Sequence, residues 1–319
     1  MNALKKNLFL LILPMFFFEV AAAKIEVVLG SPISKNLNLP GSIPESSSSE
    51  IVISRDQYVL SYNRERRSPN WVAWKLEANQ MGAAGRTNDF QPDLDLQKYL
   101  QQTHSSYPAV DPTEFSGSCY DRGHQIPSAD RTDTADNNRA TFLMSNMIPQ
   151  TPYLNRVVWE HLEQYTRTLV KQENKKVYVI AGPIYDKDFG KIGPNKDIPV
   201  PSKDFKIIIA LDANQTFKDI TKETSILAVI MPNTLKDGSV ISDGPKTSCP
   251  VFAAGVEVID DWKSYVSTVG EIEAAAGLQL FAKFPEQALS EPTSPETVLP
   301  KPSVTAPLPK SPAPELVQR

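Results

Sequence analysis

The sequence predicts an α+β domain on three observations. Two short aromatic and β-branched runs come early, three longer apolar runs come late, and one amphipathic helix stands between them. Gln57 to Asn63 (QYVLSYN) and Trp71 to Leu76 (WVAWKL) suit strands. From Asn155 to Val170, the residues Val158, Leu162, Tyr165 and Leu169 recur at the three- and four-residue spacing of a buried helical stripe, and Pro152 just before them can set its start. Val177 to Ala181, Phe205 to Leu211 and Ser225 to Met231 then read as central strands buried on both faces. Gly182-Pro183 stops the first and Pro232 the last. A shorter helix over Val269 to Gly277 ends at that glycine. Strands and helices do not alternate strictly, which argues against a wound α/β fold. No internal repeat is visible.

The ends of the chain differ from this core. Lys5 and Lys6, the apolar run Leu8 to Phe18 and Ala21-Ala22-Ala23 have the layout of a secretory signal peptide cleaved after Ala23, so residues 1–23 are expected to leave the mature chain. The competing reading is a membrane anchor, but the run falls well short of the roughly 20 residues that span a bilayer. No later segment is apolar enough to cross one, so no membrane partner is expected after cleavage. Residues 24–50, including GSIPESSSSE at 41–50, read as a flexible lead-in, with structure beginning at Ile51. Residues 285–319 hold nine prolines and no aromatic residue. Such a segment cannot bury enough apolar surface to offset ordering and reads as a Pro-rich disordered tail, or else as a ligand for a groove on a partner. One domain of residues 51–284 remains, and a chain that is 41% hydrophobic can give it a sizeable core.

Loss of the leader takes the formal net charge from −4 to −5. Bulk charge therefore counts against nucleic acid, although a small site needs only local positive charge. Arg64, Arg66 and Arg67 are either part of such a site or an exposed charge run. The two cysteines, Cys119 and Cys249, are either a disulfide, as export permits, or two buried thiols. Localisation is expected to be secreted or periplasmic.

Three histidines narrow the search for a general base. His161 lies beside the helical stripe and reads as a packing or surface residue, and His104 sits in a polar stretch without a supporting group. His124 stands in Asp121-Arg122-Gly123-His124, next to an acid and a cation. Those residues suit phosphodiester hydrolysis. His124 can take a proton from water, Arg122 can hold phosphate oxygens with its fork of donors, and the leaving oxygen calls for a divalent metal. Asn155, Trp159 and Glu163 follow at four-residue intervals on the helix. In a regular α-helix, Asn155 and Glu163 would lie roughly 80° apart around the axis. Their oxygens suit Mg²⁺, which keeps most of its waters; the competing readings are a helix cap for Asn155 and a solvated carboxylate for Glu163.

The run from Cys119 to Arg131 (CYDRGHQIPSADR) resembles the active-site motif of the DNA/RNA non-specific endonucleases, the ββα-metal (His-Me finger) nucleases that include endonuclease G. The likeness continues through Phe142 to Gln150 (FLMSNMIPQ), Leu154-Asn155, Trp159 and Leu162-Glu163. Trp71 to Trp74, Arg86 to Phe90 (RTNDF) and Gly270 to Leu278 fit as well, so it spans roughly Ile51 to Phe284.

The resemblance implies a ββα-metal fold with a central, mostly antiparallel sheet flanked by helices. It implies His124 as general base, Asn155 as the protein ligand of hydrated Mg²⁺ (with Mn²⁺ as an alternative), Glu163 holding the metal's waters, Arg86 and Arg122 on phosphate, and Asn146 ordering the site. Asp121 is read as structural. The expected activity is cleavage of DNA and RNA without sequence preference, leaving 5′-phosphate ends, since contacts to phosphate and sugar carry no base information. The alternatives are a catalytically inactive nucleic-acid-binding protein and a secreted phosphoesterase for small substrates. A toxin role would add an inhibitor protein as partner. The long Pro-rich tail departs from what the family usually shows.

Overall fold

The computed structural model describes residues 25–39, 45–46, 51–103, 108–221, 223–241, 249 and 261–281. The leader at 1–23, His104 and the tail at 285–319 lie outside these described residues. In chain order the first elements are β1 (Ile25–Val28), β2 (Glu45–Ser46), β3 (Ile51–Ser54), β4 (Val59–Asn63), β5 (Ser68–Leu76), α1 (Leu94–Gln102), β6 (Asp121–His124), α2 (Ala135–Ala140) and β7 (Met147–Gln150). They are followed by α3 (Trp159–Lys171), β8 (Lys175–Ile184), β9 (Lys191–Ile192), β10 (Ile198–Pro199), β11 (Lys203–Asp212), β12 (Ser225–Pro232), β13 (Val266–Ser267), α4 (Val269–Ala276) and β14 (Leu278–Gln279).

Eight strands form one sheet in the order β1-β3-β4-β5-β8-β11-β12-β13, antiparallel throughout except for the β1–β3 pair. Both faces are covered, which is why its central strands read as unbroken apolar runs. Along β11, Phe205, Ile207 and Ile209 pack with Val269 and Ile272 of α4. Ile208 and Ala210 face the opposite core, shared with Leu96 and Leu100 of α1 and Leu162 and Leu169 of α3. The α4 helix is fixed at both ends. Thr268 accepts from the Glu271 amide at 3.1 Å, a cap that contributes about 1 kcal/mol, and Gly277 closes the helix at φ 67°.

Three sequence expectations need correction. β8 continues through Gly182-Pro183 to Ile184, because beyond Ala181 it is paired with β11 but no longer with β5, so the proline nitrogen owes no hydrogen bond on that side. The lead-in is structured where it is described. β1 pairs with β3, the Asn36 amide donates to Ser54 Oγ and the Arg55 carbonyl, and the Asn38 amide donates to the Asp56 carbonyl. Arg67 belongs to neither a groove nor an exposed run. It is 2% exposed, and its fork makes a two-point ion pair with Glu114 (2.7 and 2.8 Å) and a contact to Asp197 at 2.9 Å.

β6 and β7 form a separate antiparallel pair, with His124 opposite Met147 and Asp121 opposite Gln150. A disulfide joins Cys119, just before β6, to Cys249, with Cα atoms 5.2 Å apart. This settles the cysteine question in favour of the bridge. The β6–β7 pair is mounted on the large sheet by buried amides. Gln150 donates to Asp204 of β11, while Asn233 accepts from the Thr151 amide and donates to the carbonyls of Pro149 and Pro201.

Candidate active site

Gly123 lets the β6–β7 pair close. A Cβ there would lie 2.2 Å from Gln150 Oε1, and the Gln150 side chain is already held by Asp204. Its neighbour His124 faces the opposite way, edge-on to two aromatic rings: Phe142 at 4.8 Å and Phe90 at 5.5 Å between centroids. Each of these rings carries an arginine. The guanidinium of Arg86 lies 4.8 Å over Phe142, and that of Arg122 lies 4.1 Å over Phe90.

The imidazole is 7% exposed, and its Nε2 has no hydrogen-bond partner among the described residues. Burial, then Arg86 and Arg122, push the histidine well below its ordinary value of 6.5. At neutral pH the ring is therefore uncharged, which is the state a general base requires.

Asn146, which the resemblance implies as ordering the site, makes its hydrogen bonds away from His124 itself. Its amide donates to the carbonyls of Ile126 and Thr141, its oxygen accepts from the Ile126 amide, and the side chain is fully buried. With its polar atoms spent on main chain, Asn146 fixes the loop that follows His124 and is a positioning residue.

Asn155 stands in a π-helical turn, Leu154–Val158, where the Trp159 amide bonds back five residues to the Leu154 carbonyl. The expected helix from Asn155 to Val170 is therefore not regular. One extra residue in the first turn reduces the angular offset between Asn155 and Glu163 from roughly 80° to roughly 20°, so the two project more nearly in line. Asn155 is not a cap. Its amide donates to Asp121 Oδ2 at 2.9 Å, which directs the amide oxygen away from that contact. Asp121 is held in turn by Arg156 at 2.6 and 2.7 Å, in agreement with a structural reading.

Glu163 lies two turns further along, between Lys206 Nζ (3.7 Å) and Arg167 (3.9 Å). Burial pushes its carboxyl up to about 7, against the pull of those two cations. Arg86 lies within electrostatic reach of both Glu163 and His124. Among the described residues no three His, Cys, Asp or Glu side chains cluster as a metal cage. The donors present, an amide oxygen and one carboxylate, fit a hydrated hard cation that takes few protein ligands.

A histidine on the first strand of a β-pair, arginines beside it, and an Asn and a Glu on the following helix are the arrangement of the ββα class of nucleases. The chain belongs to the DNA/RNA non-specific endonuclease family, whose pattern it matches over residues 41–287, and is accordingly a hydrolase acting on nucleic acid. It is 36% identical over 255 residues to a protein named Nuclease from Nostoc sp., covering 79% of each chain. It is 30% identical over 199 residues to human mitochondrial endonuclease G, covering 59% of this chain and 61% of that one. Among solved structures it is similar to the EndoG/EndoGI complex, with a TM-score of 0.56, 27% identity, and coverage of 75% of this chain and 88% of that one.

The structure gathers Arg86 and Arg122 about His124, with Glu163 within electrostatic reach of Arg86, and sets Asn155 beside Asp121 in the turn that leads into the helix of Glu163. Sequence reasoning missed several members. Phe90 and Phe142 were visible only as parts of motifs. Ser128 and Asp130 also support the site: Ser128 Oγ accepts from Arg86 at 2.7 Å, and Asp130 takes Arg167 at 3.2 Å and the Trp74 indole at 2.9 Å. Lys206 gave no signal as a site residue, because a lysine within FKIIIAL reads as a strand residue whose ammonium reaches solvent.

Proposed function

We propose that the protein is a secreted or periplasmic, Mg²⁺-dependent endonuclease that hydrolyses phosphodiester bonds of DNA and RNA without sequence preference and leaves 5′-phosphate ends. The observation that carries this reading is His124 itself. Its Nε2 is buried and without a hydrogen-bond partner among the described residues, and two arginines flank the ring. His124 takes the proton of the attacking water at Nε2. Arg86 and Arg122 hold the phosphate oxygens and offset the charge that grows on them. The aromatic rings beneath the two guanidinium groups fix where those charges sit.

Asn155 would hold a hydrated Mg²⁺ (Mn²⁺ being an alternative) through its amide oxygen, and Glu163 would hold the ion's waters. When bound, the ion supplies Lewis-acid charge at the phosphate and the leaving oxygen. Asp121 keeps the Asn155 oxygen free for that task by taking its amide. Export is supported by the signal-like leader and by the Cys119–Cys249 bridge, which suits an oxidising compartment. The structural relative was solved with an inhibitor, and an inhibitor protein is a candidate partner here.

The test is degradation of plasmid DNA and RNA with and without Mg²⁺, with end-labelling of the products. Cleavage of both polymers that EDTA abolishes and Mg²⁺ restores, giving 5′-phosphate ends, is the expected result. Full activity in EDTA, or binding without cleavage, would overturn it. N-terminal sequencing of the exported protein should begin at Lys24.

A further inference from the structure

We propose that Lys206 is a positioning residue for the metal side of the site, its buried ammonium holding the Glu163 carboxylate in the orientation that serves the hydrated cation. This rests on the reading of Glu163 given above. Lys206 stands in the middle of β11, opposite Ala181 of β8 and Val229 of β12, and is 1% exposed. It points to the face covered by α3. Its Nζ lies 3.9 Å from the centroid of the Trp159 ring and 5.9 Å from that of Trp74, so two indoles bound the ammonium. Its ion-pair partner among the described residues is Glu163, at 3.7 Å from Oε1.

The second cation near Glu163 is committed elsewhere. Arg167 approaches Glu163 Oε2 at 3.9 Å but sits nearer to Asp130, at 3.2 Å, which is itself held by the Trp74 indole. One carboxylate oxygen therefore faces each cation, and the carboxylate plane is fixed between a strand and a helix. Both separations exceed hydrogen-bond length, so the oxygens keep lone pairs for water. A lysine buried in the centre of a sheet needs a reason, since a methionine of similar length would fill the space without the cost of desolvating a charge. Holding Glu163 is the reason the geometry offers, and outer partners of this kind typically govern metal affinity by about 10–100-fold.

The test is a double-mutant cycle on the mature protein, with Lys206→Met and Glu163→Gln made singly and together. Mn²⁺ binding is measured by electron paramagnetic resonance of the free ion, and cleavage rate is measured at saturating Mg²⁺. The expected result is a folded Lys206→Met protein whose Mn²⁺ dissociation constant rises about 10–100-fold. In the Glu163→Gln background the same change should add less than about threefold, because the carboxylate it positions is already gone. An equal loss in both backgrounds, or unchanged Mn²⁺ affinity in Lys206→Met, would overturn the assignment while leaving the metal reading of Glu163 intact. If Glu163→Gln alone binds Mn²⁺ as the unaltered protein does, the metal reading falls and the assignment with it. Lys206→Gln serves if the methionine variant unfolds. If both unfold, Lys206 is a structural residue and the proposal fails.

Discussion

His124 owes its state to its neighbours. Two arginines and burial keep the imidazole neutral far below its ordinary titration range, so acid should not remove the base near pH 6.5. Glu163 behaves in the opposite sense. With its carboxyl pushed up to about 7, it takes a proton as the pH falls through neutrality and then competes with the cation for its charge. Lys206 and Arg167 face it with positive charge, and Asp130 and Glu160 with negative. The Mg²⁺ requirement is therefore expected to climb as pH drops below 7, approaching about tenfold per pH unit, the slope for one competing proton. At saturating Mg²⁺ the rate should stay flat from pH 8 to 6.5. A half-maximal rate at pH 6.5 or above under saturation would contradict the depressed base. His124→Ala should lose about 10²–10⁴ in rate while its circular dichroism spectrum is unchanged; near-normal cleavage by the folded variant would remove it from the mechanism. At this scale the sequence spoke through the motif. His124, Arg122, Arg86, Asn155 and Glu163 were readable because a short run and a helical spacing carry them. Lys206, Asp130 and Arg67 were not, because burial of a charge is decided by elements far apart in the chain.

At the scale of the element, the β6–β7 pair carries His124 and the π turn leads from Asn155 towards Glu163. Neither was legible as structure. Each strand has four residues, three of the four in β6 are polar, and its partner β7 is held by Asp204 of β11 and by Asn233 just after β12 rather than by a pattern of its own. The long apolar strands and α3 were legible because their burial imposes a period on the residues themselves. The π turn escaped because one inserted residue leaves the apolar spacing after Val158 unchanged. Gly123 tests the pairing directly. A Cβ there meets Gln150 at 2.2 Å, and Gln150 cannot swing away without giving up its bond to Asp204. Gly123→Ala is expected to cost about 1–3 kcal/mol of stability, as overpacking does, and to lower cleavage by displacing His124 in the next position. The cost measured by denaturant unfolding should shrink when Gln150 is also changed to Ala. An undiminished cost in that background would show that the clash is not with Gln150.

At the scale of the whole molecule, the N-terminal segment works as part of the domain rather than as its lead-in. Nothing in residues 25–39 announces this, because the segment docks by hydrogen bonds spread over distant partners instead of by a period of its own. Asn38 Oδ1 accepts from the Lys75 amide in β5 and from the guanidinium of Arg131, and Arg131 also donates to the main-chain oxygens of Gln57, Lys75 and Asp130. Asp130 is the residue that holds Arg167 beside Glu163. A mature chain starting at Pro40 would lose β1, leave the part-buried Lys75 amide unanswered and take one acceptor from the Arg131 guanidinium. Each buried group left unpaired costs about 1–3 kcal/mol, and a domain of this size shifts its melting temperature by about 2–4 °C per kcal/mol. The truncated protein should therefore melt at least about 5 °C lower, and its cleavage rate should fall as Asp130 loosens. Removing residues 285–319 should by contrast leave the melting temperature within about 2 °C and the rate unchanged, because that stretch has too little apolar content to join a core. Scanning calorimetry of the two truncations side by side decides the matter. An unshifted melting temperature for the chain starting at Pro40 would return the segment to a lead-in, and a large drop on removal of the tail would make the tail part of the working enzyme.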